Sequence, residues 1–248
     1  MKKSVGIIGS TGRMGKALSQ LLSGDQVFSQ GLGFNQGCAQ GQLSLEGVFL
    51  ANDYIIDFSN ASLIEHILQV ALSCPKPLIL CSTGWEYEKV KTAIKSLSAK
   101  VPIVIAPNTS FGAYLQRYLA AQLAKFLGQE YEIDILDKHH KDKQDSPSGT
   151  AISLFNALSD AKQKHHNAEY VLAAKDTRGQ NVIQIHSERK GDEIGFHEVS
   201  FKNNQEIITI THQALDRSLF SYGAMRILRW LETLKPSPGV YTMEDIVH

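Results

Sequence analysis

Cysteine is scarce. The chain holds three, Cys38, Cys74 and Cys81, and none stands in a C-x-x-C spacing. That argues against a disulfide framework and a zinc knuckle, and it fits a reducing compartment. Net charge is also lacking: 25 Lys and Arg balance 25 Asp and Glu. No global field then draws the chain to nucleic acid or an anionic membrane. No run approaches the ~18 apolar residues of a membrane span. No signal peptide is expected, because the chain opens directly on a strand pattern, Lys3-Ser4-Val5-Gly6-Ile7-Ile8. A G-x-S-x-G elbow is missing, which disfavours a serine hydrolase. What remains is an ordinary globular composition, 43% apolar and 20% charged over 248 residues, with room for one large domain or two modest ones.

The first half alternates strand and helix patterns. Val5 to Ile8 reads as a buried strand, and Met14, Ala17, Leu18, Leu21 and Leu22 recur at helical spacing. Between them stands Gly9-Ser10-Thr11-Gly12-Arg13-Met14-Gly15. Glycine lets the backbone turn tightly and approach a phosphate, and a helix N-terminus adds partial positive charge. The spacing is G-x-x-G-x-x-G rather than the commoner G-x-G-x-x-G. Its place after a first strand points to a dinucleotide site; the plainer reading is a tight strand–helix turn. Val27 to Leu32 is the expected second strand, followed by a Gly/Gln-rich loop at 36–42. A ribose-binding acid is often found about 20 residues past the glycine turn. Here the sequence offers Asn35, with neither an acid nor an arginine beside it, so NADH and NADPH both stay open. Arg13 is in place to reach a 2′-phosphate or to stand as a solvated charge.

Three further strands are expected at 54–59, 77–81 and 101–106, with helices between them. They end in Asp57-Phe58-Ser59, Ser82-Thr83-Gly84 and Ala106-Pro107-Asn108-Thr109-Ser110. This alternation predicts a parallel sheet with right-handed crossovers, whose ligands collect at the carboxyl ends of the strands. Near residue 110 the character changes from α/β to α+β. A helix over 114–126 leads into a half-buried strand at 131–136, and a second helix follows Thr150. Stretches 182–187, 198–202 and 206–212 alternate like strands, and their short links suggest antiparallel neighbours. Phe220 to Leu234 form an amphipathic helix, stopped by Pro236 and Pro238, that is expected to pack back on the first domain. The fold class is therefore α/β: a Rossmann-like cofactor domain over 1–110 and 217–248, and an α+β domain with a mixed sheet over 111–216.

The chemistry concentrates after the 131–136 strand, in Asp137-Lys138-His139-His140-Lys141-Asp142-Lys143-Gln144-Asp145-Ser146-Pro147-Ser148-Gly149-Thr150-Ala151. If the strand persists, His139 and His140 point to opposite faces, so at most one shares a cleft with Lys143. Histidine donates protons near neutral pH, and a lysine cation stabilises developing negative charge. Ser148, Gly149 and Thr150 offer hydroxyls and N–H groups at a helix start, a cradle for a carboxylate or phosphate. Each element has a plainer reading: packed histidines, a simple helix cap, a solvated Asp145. No metal is expected, since adjacent histidines do not give the H-E-x-x-H face and no cysteine or acid cluster completes a ligand set.

This stretch resembles the dihydrodipicolinate reductase (4-hydroxy-tetrahydrodipicolinate reductase) family of lysine and diaminopimelate synthesis. Its pattern is roughly Glu-x-His-His-x-x-Lys-x-Asp-Ala-Pro-Ser-Gly-Thr-Ala. The glycine turn and the strand-end motifs at Phe58, Ser82-Thr83-Gly84 and Ala106-Pro107-Asn108 are similar to the family's as well. So are Arg189-x-Gly191, Gly195-x-His197 and His212-x-Ala214-x-x-Arg217-x-x-Phe220-x-x-Gly223-Ala224. The resemblance implies an NADPH- or NADH-dependent oxidoreductase, cytoplasmic and homotetrameric through the second sheet, acting on a small cyclic dicarboxylate. It implies His139 as proton donor, Lys143 as charge stabiliser, and His140, Gly149 and Thr150, with Ser148 beside them, as substrate contacts. It implies a cofactor held by Gly9, Ser10, Thr11, Gly12, Arg13, Met14, Gly15, Asn35, Phe58, Ser82, Thr83, Gly84, Ala106, Pro107 and Asn108. The chain departs from the pattern at Asp137 (usually Glu), Ser146 (Ala), Thr109 (Phe), Cys81 (Gly), Asn35 (an acid) and Asn60 (often Arg). Two other readings share the plan. One is a different nicotinamide-dependent dehydrogenase, such as one acting on an amino-acid semialdehyde, for which Cys81 is a poor nucleophile. The other is a non-catalytic cofactor-binding regulator.

Overall fold

The computed structural model describes residues 1–35, 44–166, 171–173 and 181–247. The loop expected at 36–42, with Cys38, lies outside the described residues. The chain forms two compact units, Met1–Thr109 with Ser218–His248, and Ser110–Arg217. The first begins with β1 (Lys3–Ile8), α1 (Arg13–Gly24), β2 (Phe28–Gln30), α2 (Leu45–Ala51) and β3 (Tyr54–Asp57). A 3-10 turn (Ala61–Leu63), α3 (Ile64–Ser73), β4 (Leu78–Leu80), α4 (Tyr87–Ser98) and β5 (Pro102–Ile105) follow. The second unit holds α5 (Phe111–Phe126), β6 (Glu132–His139), α6 (Gly149–His166), β7 (Val171–Ala173), β8 (Val182–Arg189), β9 (Gly195–Lys202) and β10 (Ile207–Ala214). The chain then rejoins the first unit with α7 (Ser218–Leu234), β11 (Gly239–Tyr241) and α8 (Met243–Val247).

The first sheet runs β11-β5-β4-β3-β1-β2, and every pair in it is parallel. Helices cover both faces of such a sheet, so its strands read as unbroken apolar runs. Ile7, Ile8, Ile55, Ile56, Leu78, Ile79, Leu80, Ile103 and Val104 are all fully buried. The chain passes from β1 to β2 on one side and then to β3 on the other. The carboxyl ends of β1 and β3 therefore mark the point where the strand order reverses, and ligands of open parallel sheets bind at such points. The expected second strand is shorter than 27–32, but Ile8 pairs again with Phe34, which brings Asn35 to the same end of the sheet. The helix α2, capped by Ser44, and the edge strand β11 had no expectation set against them.

The second sheet is mixed, in the order β10-β9-β6-β8-β7. β9 and β10 form the expected antiparallel pair. β8 and β9 do not pair with each other despite their short link: β6 lies between them, parallel to β8 and antiparallel to β9. β6 and β9 both bury every second residue, as strands with neighbours on each side and helices on one face do. Ile133 and Ile135 join Ile183, Ile185, Val199 and Phe201 in a core with Ala120, Ala124, Leu154 and Leu158 of α5 and α6. The helix expected after Thr150 begins at Gly149, and β6 runs on to His139 rather than stopping at 136.

Candidate active site

Because β6 persists to His139, period two puts Asp137 and His139 on the buried face of Ile133 and Ile135. The register completes the group. Asp137 faces Ser187 on β8 and His197 on β9, and His139 faces Arg189. The apolar core of the unit thus ends in a polar knot. Asp137 is fully buried, and His139 and His197 are nearly so. His139 Nδ1 lies 3.0 Å and His197 Nε2 3.2 Å from Asp137 Oδ1. Oδ2 accepts from the Ser148 amide at 2.9 Å, Arg189 Nη2 at 3.0 Å and Ser187 Oγ at 3.2 Å. Burial pushes the Asp137 carboxyl up, but the His139 and His197 rings close to it and the hydrogen bond from Ser148 outweigh that and hold the group far below the usual carboxylate range. Asp137, His139 and His197 bring three potential metal-ligand atoms within 4.8 Å of one another. The Arg189 guanidinium on the same carboxylate supplies the positive charge there and opposes a second cation.

The turn beyond the strand starts α6. Ser148 is buried and caps the helix, its Oγ accepting from the Ala151 amide at 3.2 Å. The same hydroxyl lies 3.2 Å from His197 Nε2. Ser148 is thus engaged inside the unit. Gly149 differs: a Cβ built there would meet nothing within 4 Å, so its glycine leaves open space at the start of an eighteen-residue helix with no acidic residue in its first turn. Such a helix start favours an anion. His140 lies just past the strand; its amide donates to Glu193 O at 2.7 Å, and Nε2 is 3.2 Å from Arg217 Nη2. Lys143 Nζ pairs with Asp145 Oδ1 at 2.7 Å, and this contact holds the Asp145 carboxyl below its ordinary value. Asp145 is therefore neither free in solvent nor a side-chain cap, and its carbonyl accepts from Arg189 Nη2 at 2.7 Å. Beyond β6 the charges of the stretch balance, Lys141 and Lys143 against Asp142 and Asp145.

In the first unit the three glycines of the turn do different work. Gly9 has φ +84, and a Cβ there would lie 2.7 Å from Phe58 O. At Gly15 a Cβ would come within 2.4 Å of Gly9 O, so α1 seats on the turn only without a side chain. Gly12 has an ordinary φ of −69, and its Cβ would meet nothing closer than Gly9 O at 3.2 Å. Folding therefore asks little of Gly12, whereas a ligand approaching the backbone asks for it. The α1 N-terminus carries no side-chain cap, so its first N–H groups stand ready for an anion. Asn35 Oδ1 accepts from both Thr11 N and Thr11 Oγ1 at 2.9 Å, and Nδ2 donates to Ser10 Oγ at 2.8 Å. Asn35 is thereby fixed to the glycine turn. Arg13, Thr83, Gly84 and Pro107 are exposed, and Met14, Phe58 and Asn108 half-buried. Ser82 is buried and donates to Asp57 Oδ2, which ties the ends of β3 and β4. Ala106 is fully buried, so only its backbone can face a ligand. Cys81 is no activated nucleophile, since burial and Asp57 push its thiol well up. Thr109 donates Oγ1 to Phe220 O at 2.7 Å and presses so closely on α7 that a Cβ on Gly223 would lie 1.8 Å from Thr109 O. These residues fit a dinucleotide: a glycine turn at the sheet's switch point, an open Gly12 and an uncapped helix start.

Sequence reasoning missed three members of the knot as a group. Asp137 was read as a departure from Glu, and Arg189 and His197 only as motif positions. Their meeting depends on strand register, which no local pattern states.

A dinucleotide-type parallel sheet joined to a mixed-sheet unit with a buried acid–histidine knot defines a two-domain nicotinamide-dependent oxidoreductase. Comparison with known proteins narrows the class. A family model described as "Dihydrodipicolinate reductase, N-terminus" matches residues 3–109, and one described as "Dihydrodipicolinate reductase, C-terminus" matches 112–247. The chain belongs to the dihydrodipicolinate reductase family. It is 41% identical to the 4-hydroxy-tetrahydrodipicolinate reductase of Chlamydia felis (strain Fe/C-56) over 241 residues, 97% of this chain and 96% of that one. It is 33% identical to the enzyme of that name from Wolbachia pipientis wMel, with 100% of both chains covered. A solved structure of dipicolinate-bound dihydrodipicolinate reductase from Paenisporosarcina sp. TG-14 shares the fold with a TM-score of 0.77 at 20% identity, over 98% of both chains.

Proposed function

We propose that this protein reduces 4-hydroxy-tetrahydrodipicolinate, or a closely similar cyclic dicarboxylate, with NADPH or NADH, on the lysine and diaminopimelate route. The observation that carries the reading is His139, buried at the end of a central strand, beside an open anion cradle at Gly149. A bound nicotinamide supplies the hydride for C4 of the substrate. The Gly12 turn, Ser10, Thr11, Arg13 and Asn35 would hold the dinucleotide, together with Phe58, Thr83, Gly84, Pro107, Asn108 and the backbone of Ser82 and Ala106. The N–H groups of Gly149 and Thr150 take a substrate carboxylate, with His140 and its neighbour Arg217 adding positive charge. Water leaves first, taking the 4-hydroxyl and one C3 hydrogen and leaving a C3–C4 double bond conjugated with the ring imine; hydride then adds to C4 and His139 gives its proton to the ring at C3. Lys143 balances negative charge on the ring once it exchanges Asp145 for substrate. Ser148 acts by holding the helix start.

A cytoplasmic homotetramer suits this reading. The second sheet leaves the face opposite α5 and α6 without a layer of its own among the described residues, and Leu136 and Phe196 stand half-exposed on it. A symmetric copy would cover them. Free thiols at Cys74 and Cys81 suit a reducing compartment. No described helix is long and apolar enough to cross a membrane. The test is a coupled assay that generates the hydroxylated substrate in situ and follows nicotinamide absorbance. Substrate-dependent oxidation is expected, with His139→Ala and Lys143→Ala each lowering kcat about 10²-fold or more. Normal turnover in both variants would remove the assigned roles.

A further inference from the structure

The loop that follows β6, residues 140–148, is tied down from outside itself. Its first half is held by main-chain bonds to the link between β8 and β9: His140 N donates to Glu193 O at 2.7 Å and Lys141 N to Gly191 O at 3.2 Å. Its second half is held by the side chain of Arg189, the last residue of β8. Nη2 donates to Asp145 O at 2.7 Å and to Asp137 Oδ2 at 3.0 Å, Nη1 to Asp137 O at 3.2 Å, and Nε to Asp145 O at 3.3 Å. One guanidinium thus spans from the end of β6 to the far side of the loop. We propose that Arg189 is a positioning residue for substrate binding: it latches the loop so that the Lys143 ammonium and the anion-favouring start of α6 stand at one fixed spacing. This rests on the proposed substrate contacts of Lys143 and Gly149. Two paths lead out of the guanidinium. Through the Asp145 carbonyl it fixes the residue whose carboxylate pairs with Lys143 Nζ at 2.7 Å. Through Asp137 it fixes Oδ2, which takes the Ser148 amide at 2.9 Å, and Ser148 caps α6 in front of Gly149. The latch has a firm seat. The Arg189 side chain is only 15% exposed, its carboxylate partner is fully buried, and Lys190 N, next along the chain, donates to His139 O at 3.0 Å. A planar fork reaches several acceptors at set angles, whereas an ammonium is a point charge on a flexible stem. The plainer role, a counter-charge for Asp137, asks only for a cation and makes no use of the Asp145 carbonyl.

Arg189→Lys separates the two roles, because it keeps a cation beside Asp137 and gives up the fork. Amide hydrogen exchange on the full-length protein reads the latch directly. Exchange within 140–148 is expected to quicken about tenfold in this variant, while α5 keeps its wild-type rate. In the coupled assay the substrate KM should rise about tenfold, with kcat within about threefold and NADPH Kd within about twofold of wild type, the signature of lost substrate binding rather than lost chemistry. Arg189→Gln, which leaves the buried Asp137 carboxylate without its cation, should show the same KM rise together with a lower melting temperature. If it fails to fold, Arg189→Lys decides alone. Wild-type exchange across 140–148 in Arg189→Lys would overturn the latch whatever the activity. A loosened loop with a wild-type KM would overturn its service to the substrate, and so would a loss confined to kcat. Failure of the underlying reading is separately visible as wild-type protein that oxidises no nicotinamide when substrate is supplied, a result the exchange measurement does not depend on.

Discussion

The three glycines of the first turn make a discriminating pair of substitutions. Gly12→Ala adds a methyl that meets only Gly9 O at 3.2 Å, at a backbone φ that any residue adopts. At an N-cap, alanine costs some tenths of a kcal/mol relative to glycine. Stability should therefore change by less than about 1 kcal/mol, a Tm shift of at most roughly 4 °C for a chain of this size. Gly15→Ala instead drives a methyl to 2.4 Å from Gly9 O and 2.6 Å from Ser10 Cα. Both are backbone atoms, so α1 itself must shift, and overpacking of this kind costs about 1–3 kcal/mol. Binding should reverse the order of clarity. Gly12→Ala denies the pyrophosphate close approach and forfeits charge-assisted hydrogen bonds, each worth about 1.5–3 kcal/mol. That is a loss of roughly 10- to 100-fold in NADPH affinity from a protein that melts almost normally. Thermal melts and calorimetric titration on the same preparations read both quantities. A Gly12→Ala protein that binds NADPH at wild-type strength would refute the assignment of that space to the dinucleotide.

Two further outcomes follow from buried and tethered groups. Lys162 is fully buried and spends its ammonium on Leu127 O at 2.7 Å and Gly128 O at 2.8 Å, two carbonyls just past the end of α5, while burial draws its pKa down. Lys162→Met leaves both carbonyls without that donor and should cost about 1–3 kcal/mol, seen as a lower denaturant midpoint with kcat unchanged. Asn35→Asp keeps the acceptor for Thr11 but adds a charge on the glycine turn proposed to hold the cofactor. At about 1 kcal/mol or a little more for an exposed like-charge contact, NADPH affinity should fall roughly tenfold relative to NADH, read by titration with the two cofactors; an unchanged ratio would place the 2′-position elsewhere.

The cofactor unit was legible because its information is local. A glycine turn, the helix behind it and the polar ends of short apolar strands are all read within about ten residues of one another, and their parallel order follows from the alternation. What escaped was short or weakly patterned. α2 and β11 carry no strong period, and β2, though expected, keeps only three residues of the stretch 27–32. Ser82 and Thr109 looked like ligand-facing loop residues, yet each satisfies a buried partner, Asp57 and the Phe220 carbonyl. The second unit was harder because its order is not sequential. A short link between β8 and β9 suggested a hairpin, but β6 lies between them, and no pattern local to either strand states that insertion.

The same period-two rule that hides the knot from a sequence reader also sorts the two residues proposed for the chemistry. His139 shares its face with Ile133 and Ile135, so its nearly buried ring is placed by the strand before any substrate arrives. Lys143 lies in the turn beyond, with its ammonium held by one half-exposed partner, Asp145. A preorganised donor needs no rearrangement at the moment of transfer. An exchangeable cation can leave a weak surface pair, worth about 1 kcal/mol at most, for a substrate carrying more negative charge. Under the roles proposed, the stretch from 137 to 150 divides its labour by burial: the proton sits on a residue placed by the fold, and the charge is recruited by the ligand.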